Sequence, residues 1–318
     1  MFNYAYYTAL LFTIMFIDKL FCFIVEYFLQ RLNFNGISDS EENKNNNDGD
    51  SDSDSDSDKK DEKKNKKKIK KYSKQIVNEI QNLEEKYNTN FLIICDEFWN
   101  DDKKLPDNLK NIVVDIEFPE LFFYFIAKAY ADKKSLSLII YTEGGNISST
   151  DFMFHDVLDY PYGVNGYVPY YAMSAGAMIS LACDNIYMNS YSCLGPTDPQ
   201  ISVPIGNYDR YFSVKQYSDL LKYNKDLPIK EKYYLVAKEA ETYHRDTIKN
   251  MRKVFEKRKI KKPLANKLTK LISSGDYIHS RPLKSNYLNS NGFKINGKIP
   301  EDINNVFEQF ISFKKLFI

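Results

Sequence analysis

The tract from Ser38 to Lys71 constrains this chain more than any other feature, because it cannot pack. Its first half, SDSEENKNNNDGDSDSDSDSD, is acidic, and its second, KKDEKKNKKKIKK, is basic. Neither half carries enough apolar surface to offset the entropy lost on ordering. The Ser-Asp repeat lacks the glycine and terminal glutamate of a calcium loop, so a solvated spacer is preferred over a cation site or a phosphorylated segment. Three parts follow: a hydrophobic membrane-anchor segment over 1–35, a disordered charged linker over 36–71, and a folded body over 72–318.

The segment YAYYTALLFTIMFI (4–17) has no charge, but Asp18 and Lys19 interrupt it before LFCFIVEYFLQRL. A membrane-spanning helix needs about 20 mostly apolar residues. Each central charge costs about 2.5–3.5 kcal/mol, which argues for a shifted span or an interfacial helix as alternatives to a straight crossing. A core helix of the body is disfavoured by the polar tract that follows. The expectation is a single-pass anchor, and the basic block on the body side predicts a cytoplasmic body. Lysines and arginines number 44 against 43 acidic residues, a formal charge of +1. With no global basic field, a nucleic-acid partner is not expected. Four cysteines without a CxxC pair and only three histidines argue against a Cys/His metal site and a disulfide framework. No nicotinamide or pyridoxal phosphate signature is visible, so no cofactor is expected.

Within the body, Ile76, Ile80 and Leu83 stand at helical spacing. FLIIC (91–95) and NIVVDI (111–116) read as strands, and FPELFFYFIAKAY (118–130) as a helix with Pro119 at its start. LSLIIYTEGG (136–145) reads as a buried strand, NISSTDFMFHDVLDY as a helix, GVNGYVPYY (163–171) as a strand. AMSAGAMISLACD and NIYMNSYSCLG read as a helix and a strand, and helices dominate after Val214, at 214–223, 229–257, 263–273 and 301–315. This alternation predicts an α/β body with crossover connections.

Two small-residue sites end these elements. In Thr142-Glu143-Gly144-Gly145-Asn146 a glycine pair follows a strand and precedes a helix, where backbone N–H groups can face a ligand oxygen. In Ala172-Met173-Ser174-Ala175-Gly176-Ala177 a serine opens a helix. Such a serine is ordinarily an N-cap. Small neighbours leave its hydroxyl accessible, and the Ala175 amide can face an oxyanion. One helix and one strand separate the two sites, enough to return the chain beside the first turn. A nucleophile with two preorganised donors is the equipment of acyl transfer.

The segment VPYYAMSAGAMISLACDNIYMNSYSCLGPTDPQI (168–201) closely resembles the signature of the serine dehydrogenase proteinase family. That family is related to signal peptide peptidase A within the Clp protease/crotonase superfamily. LIIYTEGG matches its strand and glycine pair, and SGDYIHSRPL (274–283) echoes a later element. The resemblance implies a crotonase/Clp protease-like spiral of ββα units with a helical C-terminal part. It also implies Ser174 as nucleophile, the Gly145 and Ala175 amides as oxyanion hole, and assembly into a homo-oligomer. Glu143 replaces the family's proline, and Ser280 and Arg281 replace its Asp and Tyr after His279.

The general base is open. Clp-type proteases place a histidine shortly after the serine's helix, and the stretch from Cys193 to Pro199 holds none. Signal peptide peptidase A relatives use a neutral lysine, which requires burial or adjacent positive charge. Lys225 is the first choice, ahead of Lys215 and Lys222, and His279 is the remaining candidate. Asp198, in LGPTDPQI, either orients the base or fixes a turn. The expected activity is a membrane-tethered serine endopeptidase cleaving peptides or membrane-protein segments with a Ser-Lys dyad. The alternatives are a catalytically degenerate, membrane-anchored oligomeric scaffold and a crotonase-type acyl-CoA enzyme.

Overall fold

The computed structural model describes residues 55–96, 106, 108–110, 112–205, 207–223 and 231–317. The expected anchor over 1–35, most of the linker and Lys225 lie outside the described residues. No helix among the described residues is long and apolar enough to cross a membrane.

A five-stranded parallel sheet of order β2-β1-β3-β4-β6 organises the body. Its strands are β1 (Thr89–Cys95), β2 (Val113–Val114), β3 (Ser135–Tyr141), β4 (Val164–Val168) and β6 (Asn185–Met188). Parallel neighbours need crossovers, and helices α2 (Glu120–Asp132), α3 (Ile147–Leu158) and α4 (Ala175–Ala182) supply them. Both faces of the sheet are covered, which is why β1 and β3 read as unbroken apolar runs. Alternation sorts the side chains: Phe91, Ile93 and Cys95 enter one core, while Leu92 and Ile94 enter the other. Against the first pack α1 (Ser55–Tyr87), through Ile76, Ile80 and Leu83, and α9 (Glu301–Phe317), through Phe307, Phe310 and Phe313. Against the second pack α2, α3 and α4, joined by α6 (Glu231–Lys257) and α7 (Lys262–Ser273). The remaining helices are α5 (Val214–Tyr223) and α8 (Ser285–Ser290).

Several boundaries differ from the sequence reading. The first helix begins at Ser55, inside the stretch expected as linker, rather than near Tyr72. Its lysine-rich start holds good helix formers with no Gly or Pro, so a helix seeded by Ile76 and Ile80 propagates backwards. NIYMNSYSCLG is two strands, not one. A turn closed by Ser192 N–H donating to Asn189 O (3.1 Å) separates β6 from β7 (Cys193–Leu194). Likewise Pro169 divides GVNGYVPYY into β4 and β5 (Tyr171–Ala172). Strands β5 and β7 join β10 (Leu283–Lys284) in a small second sheet. An antiparallel hairpin of β8 (Gln200–Ile205) and β9 (Tyr208–Ser213) carries no clear sequence signal. Pro204 and the exposed Asp209 and Arg210 mask its alternation, and a two-stranded ribbon, all edge, tolerates them.

Candidate active site

The last residue of β3 leads into the glycine turn, and main-chain bonds tie that turn to the serine segment. Thr142 N–H donates to Tyr171 O (3.3 Å), and Met173 N–H donates to Thr142 O (2.9 Å). The Thr142 hydroxyl accepts from Gly144 N–H at 3.0 Å and lies 3.1 Å from Gly144 O, which folds the corner tightly. Gly144 has φ +134°, and a Cβ built there would stand 2.9 Å from Ser174 Cβ. The glycine corner and the serine are therefore in contact, an arrangement their spacing permits.

Ser174 occupies the N-cap position of α4, yet its side chain makes no capping bond. Its backbone is strained, with φ 49° and ψ −113°. A non-glycine residue held there costs on the order of 1–3 kcal/mol, and such strain persists where surrounding structure imposes it. Helix α4 imposes it here, since all eight of its residues are buried. The Ser174 hydroxyl makes no hydrogen bond among the described residues, and neither do the N–H groups of Gly145 and Ala175. Gly145, Ser174 and Ala175 line one cavity of about 240 Å³, and Ser174 also borders a larger groove of about 990 Å³.

That groove also contains His279. His279 Nδ1 lies 3.0 Å from Asp198 Oδ1, and Asp198 is only 1% exposed. Gln200 Nε2 donates to the other carboxylate oxygen at 2.7 Å. The loop bearing Asp198 is fixed to α7: Thr197 N–H donates to Ile272 O (2.8 Å), and its hydroxyl meets Ser273 Oγ (2.7 Å). A buried aspartate bound to Nδ1 orients the imidazole and leaves Nε2, which has no partner among the described residues, for other work.

Of the lysines expected as base, Lys215 is exposed and pairs with Asp219 (3.0 Å) and Asp276 (3.1 Å). Hydrogen bonds to Asp219 and then Asp276 raise its pKa, opposite to the depression a neutral base needs. Lys222 is exposed, 3.9 Å from Asp219. His155 lies 3.8 Å from Asp151, and His244 bonds Ser273 O at 2.9 Å. Neither lines the groove. The pairing of His279 with Asp198 spans 81 residues. Both residues sit in elements singled out by the sequence, but no spacing rule joins them.

A profile described as ClpP-like SDH-type serine proteinase matches residues 110–314. The chain belongs to that family. It is 27% identical over 178 residues to the uncharacterized protein MJ1495 of Methanocaldococcus jannaschii, covering 55% of this chain and 56% of that one. A second uncharacterized protein of the same organism, MJ0137, is 26% identical over 183 residues, covering 58% of this chain and 61% of that one. The chain thus spans less than two thirds of these relatives' lengths. Among solved structures, a mutant of the 1510-N membrane-bound stomatin-specific protease is 14% identical with TM-score 0.41, over 70% of this chain and 84% of that chain. A ClpP1 mutant from Listeria monocytogenes is 14% identical with TM-score 0.38, over 70% of this chain and 98% of that chain. The body of this family member is mixed α/β and built on a parallel sheet.

Proposed function

We propose that this protein is a serine endopeptidase in which Ser174 is the nucleophile, His279 the general base and Asp198 the residue that orients it. The observation that carries this reading is a strained serine with an unbonded hydroxyl, bordering the same groove as a histidine held by a buried aspartate. On substrate binding the Ser174 hydroxyl turns toward His279 Nε2 and attacks the scissile carbonyl carbon while the imidazole takes its proton. The N–H groups of Gly145 and Ala175 face the resulting oxyanion. His279 then returns the proton to the leaving amine, and water releases the acyl group by the reverse sequence. Gln200 holds the second oxygen of Asp198, so the carboxylate stays fixed in place while the imidazolium forms. The expected Ser-Lys dyad gives way to this arrangement in the proposal because the histidine borders the groove with its aspartate already in place. Tethered through its N-terminal apolar segment, a homo-oligomer of such subunits would act on peptides or membrane-protein segments near a bilayer.

A fluorophosphonate probe tests the reading. Labelling is expected at Ser174 and lost in Ser174→Ala. His279→Ala should slow it by about 10²–10⁴-fold, whereas Lys225→Ala should leave it within about twofold. The opposite pattern in the last two variants would restore the Ser-Lys dyad. Undiminished labelling of Ser174→Ala would remove the serine from the chemistry.

A further inference from the structure

Successive main-chain N–H groups at the glycine corner are held until the one the chemistry needs. Thr142 N–H donates to Tyr171 O, Glu143 N–H donates to Asp96 Oδ2 at 2.6 Å, and Gly144 N–H donates to the Thr142 hydroxyl. The Gly145 N–H, which the proposed mechanism turns to the oxyanion, comes next and makes no hydrogen bond among the described residues. Of the held groups, only that of Glu143 is tied to a residue outside the corner and the serine segment. Its partner Asp96 stands 47 residues away, directly after β1.

Glu143 replaces the family's proline, and the exchange alters the corner in two ways. A proline ring fixes its own φ and carries no N–H, whereas glutamate frees that torsion and brings a donor. Asp96 takes the donor. Its other oxygen, Oδ1, is buried with no hydrogen-bond partner among the described residues, so its hold on the backbone runs through Oδ2. Burial disfavours the charged carboxylate, while hydrogen bonding by Thr142 and by the Glu143 N–H favours it, so corner and carboxylate support each other. An anchored N–H at Glu143 fixes the peptide plane from which the glycine pair departs. Two adjacent glycines are otherwise the softest backbone available, and their own side chains can restrain nothing.

The structure assigns Asp96 as a positioning residue for the Gly145 N–H: it braces the glycine corner through the Glu143 N–H where a proline ring is missing. This assignment rests on the protease reading for the task of the Gly145 N–H, but not for the brace itself. Glu143 is exposed, and Thr142 before it bridges Ala172 in an extended pairing, the conformation that a following proline favours. Glu143→Pro therefore restores the ring and removes the donor in one substitution.

Two measurements on the full-length protein test the brace. Hydrogen exchange read by mass spectrometry should show protection at Glu143 falling about tenfold or more in Asp96→Ala, while β1 and α4 keep theirs. Asp96→Asn, whose amide oxygen still accepts, should keep that protection within about threefold. Fluorophosphonate labelling of Ser174 should fall about tenfold or more in Asp96→Ala and stay within about threefold in Asp96→Asn. Added to Glu143→Pro, Asp96→Ala should cost no further labelling, because the ring supplies the restraint and no N–H is left to hold. If Glu143→Pro fails to fold, exchange in the two Asp96 variants decides. Faster exchange at Glu143 in Asp96→Ala, with no labelling of any form including the wild type, would overturn the protease reading and support the brace. Unchanged exchange in Asp96→Ala, protection lost equally from β1 and α4, Asp96→Asn exchanging as fast as Asp96→Ala, or an equal labelling loss in both backgrounds would overturn the assignment.

Discussion

Gly144→Ala separates two roles that a glycine at this corner combines. Gly144 has φ +134°, and an alanine there carries conformational strain on the order of 1–3 kcal/mol. The new Cβ would also lie 2.9 Å from Ser174 Cβ and 3.4 Å from Ser174 Oγ. Ser174 Cβ is no flexible tip, since the backbone beneath it is held at φ 49° by a buried helix. The corner or the nucleophile must move, and a displacement near 1 Å costs about 10²-fold in rate. Gly163 is the control: its φ is +86°, but an added Cβ would meet only Asp184 Oδ2, at 3.9 Å. Gly163→Ala should therefore show the strain alone, lowering Tm by about 2–4 °C per kcal/mol in a domain of this size. Both variants should lose Tm by calorimetry, Gly144→Ala at least as much as Gly163→Ala. Fluorophosphonate labelling should fall about 10²-fold or more in Gly144→Ala and stay within about twofold in Gly163→Ala. Equal labelling in the two variants, at comparable Tm, would refute the contact between the corner and the nucleophile as the reason for that glycine.

Other consequences are as direct. Asp198→Asn keeps the shape but removes the charge and leaves one acceptor oxygen for two neighbours, Gln200 and His279, so labelling should fall by about 10²–10⁴-fold while Tm changes little; unchanged labelling would reduce Asp198 to a turn residue. Burial pushes the Asp96 carboxyl up to about 6, although it accepts from Glu143 N–H at 2.6 Å. The native state then holds a proton the unfolded chain releases, so stability is greatest below about pH 4 for this group and falls as pH rises through 6. Asp96→Asn should flatten the pH 4–6 portion of the stability curve by about 2 kcal/mol, after allowance for partial exposure, as measured by urea unfolding. An unaltered slope would contradict that account. Burial pushes the Cys183 thiol up to about 12, and Cys193 is raised by its lesser burial. Peptide-resolved alkylation at pH 8 should modify Cys193, which borders the groove, well before Cys183, which should react only on unfolding.

The order of residues along the chain encodes the local material. Unbroken apolar runs at FLIIC and LSLIIY encode strands buried on two faces, and Ile76, Ile80 and Leu83 encode a helix with one apolar stripe. Small residues around Ser174 and the glycine pair marked the two places where backbone must come close to something. These signals are short-range, because periodicity and turn chemistry act over a few residues. Splitting β6 from β7 depended on a turn that local hydrophobicity does not report, and the β8–β9 hairpin hid behind Pro204 and surface charges. Packing, not local chemistry, left the Ser174 side chain without a capping bond at the start of its helix. The same packing set His279 against Asp198 across 81 residues and turned one face of α6 into the floor of the cavity beside the serine. Those relations arise when the parallel sheet brings strand ends together and distant segments share one groove. No residue carries such information alone, since it belongs to the closure of the chain upon itself.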